Sequence, residues 1–317
     1  MRVIITFLAV ILSVQTCLAW SEGGHHLIAV MAFESLSQDQ QHELSMILKA
    51  HPRFAEDFKP PAKIAGPAEI QRWLIGRAGY WPDVARSQPE FNRPSWHYQL
   101  GATMVIGEPV NVPARPGPLP PDATMETEGL HISQAIQLCR AVLKDRSRPQ
   151  SERALAICWL IHLVGDAHQP CHAGSLYLAK VFPDGDRGAN SIPTKQFKNL
   201  HALWDGLLGP LFDAGDIQRR ERSIIADGAM WQEAQLAARA ANGLNPLRWL
   251  SESEELGRTS VYTGEIMTPI DAVARGVSPN IQEIDLSEKY LQAAGPIARR
   301  RAAFAASRLA VLLAEDL

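Results

Sequence analysis

The chain has 317 residues, with 31 Lys and Arg against 34 Asp and Glu, for a formal net charge of −3. Such a length with 46% apolar residues supports a sizeable core and excludes a disordered or fibrous chain. The slight negative balance supplies no general basic field for nucleic acid or an anionic membrane, so any anion binding has to be local.

In chain order, the first signal is a leader. Arg2 precedes an apolar run from Val3 to Val14, and Cys17-Leu18-Ala19 puts small residues ahead of Trp20. This reads as a cleavable signal peptide over 1–19, with export to a periplasm or the medium. The run is too short to span a membrane, and no later segment reaches the roughly 20 apolar residues a span requires. Residues 20–317 then read as one domain. Ser37-x-x-Gln40 is a capping box that opens a helix to Lys49. The 3.6-residue apolar period predicts further helices over 67–78, 125–145, 151–168, 198–208, 217–242 and 286–314, an all-α chain. A connection with six prolines, Gly107 to Asp122, and a Gly- and Asp-rich loop, Pro183 to Asn190, interrupt the helices. Neither divides the chain, because candidate ligands lie on both sides of each. Cys139, Cys158 and Cys171 are odd in number, which excludes a disulfide scaffold; Cys139 and Cys158 could bridge two helices, and Cys171 reads as a small buried residue.

The chemistry lies in the ten histidines. His42 and His51 sit among polar residues and are expected at the surface, His131 lies at a helix start, and His26 and His168 adjoin stronger candidates. That leaves His25, His97, His162, His172 and His201. Two segments, IHLVGDAHQPCH from Ile161 to His172 and NLHALWD from Asn199 to Asp205, each contain His-x3-Asp. On a helix that spacing puts both side chains on one face, where imidazole and carboxylate can converge on one ion. One such pair is more often a solvated face. Two in apolar surroundings ask for a cation, because burying an uncompensated His and Asp twice would be costly. Asp83 in YWPDVAR and His97 in PSWHYQL, each beside Trp, gain weight only in combination with these.

Taken together, the motifs resemble a known family. Trp20 with His25, Trp81-Pro82-Asp83, Trp96-His97-Tyr98, His162-x3-Asp166-x-His168-Gln169-Pro170-x-His172, Gly185-Asp186-Arg187-Gly188-Ala189-Asn190 and Asn199-Leu200-His201-x2-Trp204-Asp205 occur in this order through the whole mature chain. They resemble the nuclease S-one/P-one family, trinuclear-zinc, single-strand-specific nucleases that are also 3′-nucleotidases. The resemblance implies a mainly helical fold of the phospholipase C/nuclease P-one type holding three Zn2+ in a cleft. One zinc would take Asp83, His97, His162 and Asp166. A second would share Asp166 and take His25 with the amine and carbonyl of Trp20, and the third would take His172, His201 and Asp205. Since the Trp20 amine exists only after leader cleavage, export and metallation would be coupled.

Such a site would leave a local positive excess of about +2 for a phosphate inside a negatively charged protein. A hydroxide bridging the zinc pair would be the nucleophile, and the third zinc would stabilise the departing 3′-oxygen, giving 5′-phosphorylated products. Arg86 and Asn190 match family positions at the scissile phosphate, the less favoured alternative for Arg86 being a surface salt-bridge partner. Tyr98 matches an aromatic that stacks a base. The implied substrates are single-stranded RNA and DNA and 3′-nucleotides, with a monomer expected. Leu100 replaces the Asp that fungal and plant relatives use to hydrogen-bond the base, and Ala189 replaces a Gly. Three readings compete, the least favoured being a plain helical bundle with incidental histidines. A zinc-dependent phospholipase C would differ in its Trp-to-His spacing and in the acid that ends the third-zinc motif, and a non-catalytic zinc-binding protein would have no need of Tyr98.

Overall fold

The apolar period is realised as twelve α-helices among the described residues, 20–317, of a computed structural model. The expected leader, 1–19, lies outside the described residues. In order the helices are α1 (Glu22–Glu34), α2 (Gln38–Leu48), α3 (Phe54–Asp57), α4 (Pro67–Val84), α5 (Ile132–Lys144), α6 (Gln150–Ala167), α7 (Leu200–Gly206), α8 (Ala214–Ala226), α9 (Gly228–Arg239), α10 (Pro246–Leu256), α11 (Gly264–Ala274) and α12 (Glu288–Asp316). The Ser37 box closes as expected: Gln40 N donates to Ser37 Oγ at 3.3 Å and Ser37 N donates to Gln40 Oε1 at 3.0 Å. The chain is all-α apart from one parallel pair, β1 (Ala102–Ile106) and β2 (Ser175–Leu178). This pair matters, because it ties the segment that follows Tyr98 to the segment that follows His172.

Several boundaries differ from the expectation, each for a local reason. The segment predicted as 125–145 becomes helical only at Ile132, where Gln134 Oε1 accepts from His131 N at 3.0 Å. The single helix expected over 217–242 is divided at Asp227, whose carboxylate accepts from Met230 N at 3.2 Å and so starts α9. α1 went unpredicted because Gly23 and Gly24 depress helix propensity in its first turn. Packing explains Gly23: a Cβ there would lie 2.5 Å from the Gly209 carbonyl oxygen. α10 carries a start signal that was legible, the Asn245 cap followed by Pro246.

The main apolar core gathers α1, α4, α5, α6 and α12. A second cluster, including Leu176, Leu200, Trp204, Ile266 and Tyr290, lies around β2, α7 and α11. His51 is buried, contrary to its expected exposure, with its ring against Trp81 at 4.2 Å. Cys139 and Cys158 are both buried and unbridged, and burial pushes both thiols up. Cys171 is buried, as its small-residue reading requires.

α12 anchors the end of α6 through buried arginines. Arg308 donates to Glu252 through both terminal nitrogens at 2.7 Å and to His168 Nε2 at 2.8 Å. Arg301 donates to Glu252 at 2.8 Å and to the His168 carbonyl at 3.0 Å. Burial alone would raise the Glu252 carboxyl, but hydrogen bonds from Arg308 and the charges of both arginines outweigh it and hold the group at about 2. Removing this partner strands two buried guanidinium groups, so Glu252→Gln should destabilise the fold by about 3 kcal/mol in denaturant unfolding near neutrality. Because the folded carboxyl is depressed, its contribution is complete above the ordinary value of 4.5 and disappears as pH falls toward about 2. The Gln variant should lack that acid dependence.

Candidate metal centre

One helical turn separates His162 from Asp166 on α6 and His201 from Asp205 on α7. The resulting N to O distances are 3.1 Å and 3.4 Å. Helix spacing alone delivers these two pairs, and the tertiary fold delivers their companions. His25 on α1 stacks on His162 with centroids 4.0 Å apart, and its Nε2 is 3.3 Å from Asp166 Oδ1. His97, closing the short helical turn Pro94–His97, puts Nδ1 2.8 Å from His162 Nε2 and 3.2 Å from Asp166 Oδ2. Asp83, near the end of α4, gathers with His97 and His162.

Three groups thus form in which the possible ligand atoms lie within 4.8 Å of one another: His25, His162 and Asp166; Asp83, His97 and His162; and His172, His201 and Asp205. Every member is buried.

Backbone carbonyls set the tautomers. His162 Nδ1 donates to Gly79 O at 2.8 Å, His201 Nδ1 donates to Gly188 O at 2.5 Å, and His172 Nδ1 donates to His97 O. A carbonyl can only accept, so in each ring the proton is on Nδ1 and Nε2 presents a lone pair. The His172 and His201 Nε2 atoms then face each other at 3.1 Å, two lone pairs with no proton between them. A cation removes that repulsion.

Other orphaned atoms point the same way: His25 Nδ1, His97 Nε2 and Asp83 Oδ2 are buried without a hydrogen-bond partner. Burial lowers His25, His97 and His172 and brings His162 to about 4, which leaves these rings neutral, the form that ligates. Burial pushes Asp166 up to about 7, the penalty of an anion with too little positive charge near it. Imidazole and carboxylate donors in this density fit zinc.

The remaining sequence-predicted residues are placed as follows. Trp20 is fully buried, and its indole donates to Gly165 O at 2.9 Å, on the turn that carries Asp166. Ser21 N donates to Asp205 O at 3.0 Å, so the start of the described chain joins the ends of α6 and α7. Arg86 donates through Nε to Asp83 Oδ1 at 2.7 Å; it is a salt-bridge partner, but a mostly buried one rather than a surface one. Tyr98, Asn190, Leu100, His172 and His201 line one cavity of about 410 Å3. Tyr98 is 40% exposed there, with its ring edge-on to His131 at 5.4 Å. Asn190 is braced by its Nδ2 donating to Arg187 O at 2.9 Å.

Orienting groups escaped the sequence reading. Gln169 Nε2 donates to Asp205 Oδ1 at 2.6 Å, fixing the acid of the third group. Gly188, at φ +61, offers its carbonyl to His201, and a Cβ there would meet the Cys171 carbonyl. Asp186 accepts from Tyr262 Oη at 2.7 Å and from Leu176 N at 3.0 Å, which latches the loop that holds Gly188 and Asn190. Gln169 and Asp186 both stand inside the quoted motifs, but nothing in spacing distinguishes an orienting side chain from a filler.

The sequence model of the family described as S1/P1 Nuclease matches residues 20–317. The chain is 24% identical to Endonuclease 1 of Arabidopsis thaliana over 336 aligned positions, covering 98% of this chain and 91% of that protein. It is 38% identical to Endonuclease 4 of Arabidopsis thaliana over 56 residues, which span 17% of this chain and only 16% of that protein.

Proposed function

The chain belongs to the S1/P1 nuclease family, a family of hydrolases of phosphodiester bonds, and from that premise we propose that it is an exported, monomeric, zinc-dependent nuclease built as one domain over 20–317. Its substrates are single-stranded RNA and DNA, cut internally to 5′-phosphorylated products, and 3′-nucleotides. The observation that carries the reading is the convergence of three buried His and Asp groups beside a cavity walled by Tyr98. Asp83, His97, His162 and Asp166 would hold one ion; His25, the main chain of Trp20 and Asp166 a second; His172, His201 and Asp205 a third.

Bound zinc supplies Lewis acidity toward phosphoryl oxygens and makes water acidic enough to act as hydroxide near neutrality. The chain's own residues do the rest. Gly79, His97 and Gly188 carbonyls keep three imidazoles in the ligating tautomer. Arg86 and Asn190 meet the phosphate, and Tyr98 takes a base on its exposed face. Stacking of that kind contributes about 1–3 kcal/mol per base and favours single strands, since a paired base has no free face. Among the described residues no helix is long and apolar enough to cross a membrane.

The test is to give the zinc-loaded chain single-stranded RNA and, in parallel, phosphatidylcholine. Release of 5′-mononucleotides from RNA alone, lost on chelation and regained with zinc, is the expected result. Hydrolysis of the lipid instead would make it a phospholipase C, and bound zinc with neither activity would make it a zinc-binding protein.

A further inference from the structure

The cavity of about 410 Å3 beside His172 and His201 carries two charged side chains that the metal groups do not use, Asp184 and Arg187. The loop Pro183–Asn190 alternates them with its anchor. Asp186 points inward to Tyr262 and the Leu176 amide, while Asp184 and Arg187 are exposed and line the cavity. Asp184 is held by a second segment: Asn111 Nδ2 donates to its Oδ1 at 2.6 Å, and Asn111 N donates to Pro183 O at 2.7 Å. Arg187 sits at φ +61, a left-handed conformation that costs an L-residue roughly 1–2 kcal/mol. Strain of this kind concentrates where a side chain is being aimed. Although three positions apart and of opposite charge, Asp184 and Arg187 form no ion pair among the described residues.

We infer that this cavity selects guanine, with Asp184 and Arg187 as its specificity-determining residues and Tyr98 as its stacking wall. The inference rests on the nuclease reading only for the use made of the base. Guanine is the one nucleobase that offers two adjacent donors, N1–H and N2–H, on one edge and two adjacent acceptors, O6 and N7, on another. A carboxylate accepts the first pair and a guanidinium fork donates to the second, the commonest base-specific contact of arginine. Uracil, cytosine and adenine each leave one of the two charged groups incompletely paired. The apolar Leu100 in the same lining offers a base no competing hydrogen bond.

Calorimetric titration of the zinc-loaded chain with guanosine, adenosine, cytidine and uridine tests this, because nucleosides carry no phosphate for Arg187 to grip. Guanosine should bind at least about tenfold more tightly than the others, the weight of one good bidentate pair. Asp184→Asn and Arg187→Ala should each reduce guanosine affinity about tenfold and leave uridine unchanged, with unfolding temperatures like the parent. Equal affinities for the four nucleosides, no measurable binding of any, or variants that weaken all four alike would overturn the assignment. Single-stranded RNA cleavage is assayed on the same preparations. Failure to cut RNA alongside intact guanosine selectivity would sink the nuclease reading and leave the pocket standing, whereas cleavage without selectivity would do the reverse.

Discussion

If the chain holds the three zinc ions proposed for it, Asp166→Asn is expected to lose two of them and to lower RNA cleavage by at least about a thousandfold, the rate equivalent of the several kcal/mol that metal charge stabilisation supplies. Asp205→Asn should lose only one. The asymmetry follows from position. Asp166 is fully buried and touches three imidazoles, with oxygens 3.3 Å from His25, 3.1 Å from His162 and 3.2 Å from His97. Asp205 is paired with His201 and held by Gln169, in a group that shares no member with the other two. An amide keeps the volume and polarity of each site, so misfolding is not the expected outcome. Metal analysis of the folded variants decides the matter, and equal zinc loss in both would show that Asp166 is not shared.

One additional residue ahead of Trp20 should remove one zinc and cost about a hundredfold or more in cleavage, while the unfolding temperature of the metal-free protein barely moves. The amine of Trp20 would become an amide, and an amide nitrogen has no lone pair to give a metal. The indole would keep its place, since its hydrogen bond to Gly165 O and its full burial do not depend on the terminus. Trp20→Phe with a free amine provides the opposite case: three zinc ions retained, and about 1 kcal/mol of stability lost with the indole hydrogen bond. If the extended protein bound three zinc ions and cut RNA as well as the parent, Trp20 would not be a ligand, and metallation would not depend on leader removal.

The His and Asp pairs behind the first prediction were reachable from the sequence because helix geometry is local, whereas the Trp20 ligation behind the second is what the family resemblance implies. Residues four apart share a face in any α-helix, so His162 with Asp166 and His201 with Asp205 were legible as pairs wherever the helices went. The Ser37 capping box and the long C-terminal helix were legible for the same reason. α1 was not, since the tight packing that requires Gly23 comes from Gly209, far along the chain. His51 was misjudged because its neighbours in sequence are polar while its neighbours in space are Phe58 and Trp81.

By itself, then, the sequence determined the helical class and the order along the chain of the His and Asp residues that the fold gathers, both of which depend on residue type and short spacing. Only the tertiary structure decided which ring nitrogen His162, His172 and His201 present, because the deciding carbonyls of Gly79, His97 and Gly188 reach these imidazoles across separate segments. It alone decided that Gln169 steers Asp205 and that Asp184, Arg187 and Tyr98 share one cavity. The physical reason is that a backbone hydrogen bond or a cavity wall is made from whichever groups packing brings within about 3–4 Å, and a spacing in sequence carries no record of that.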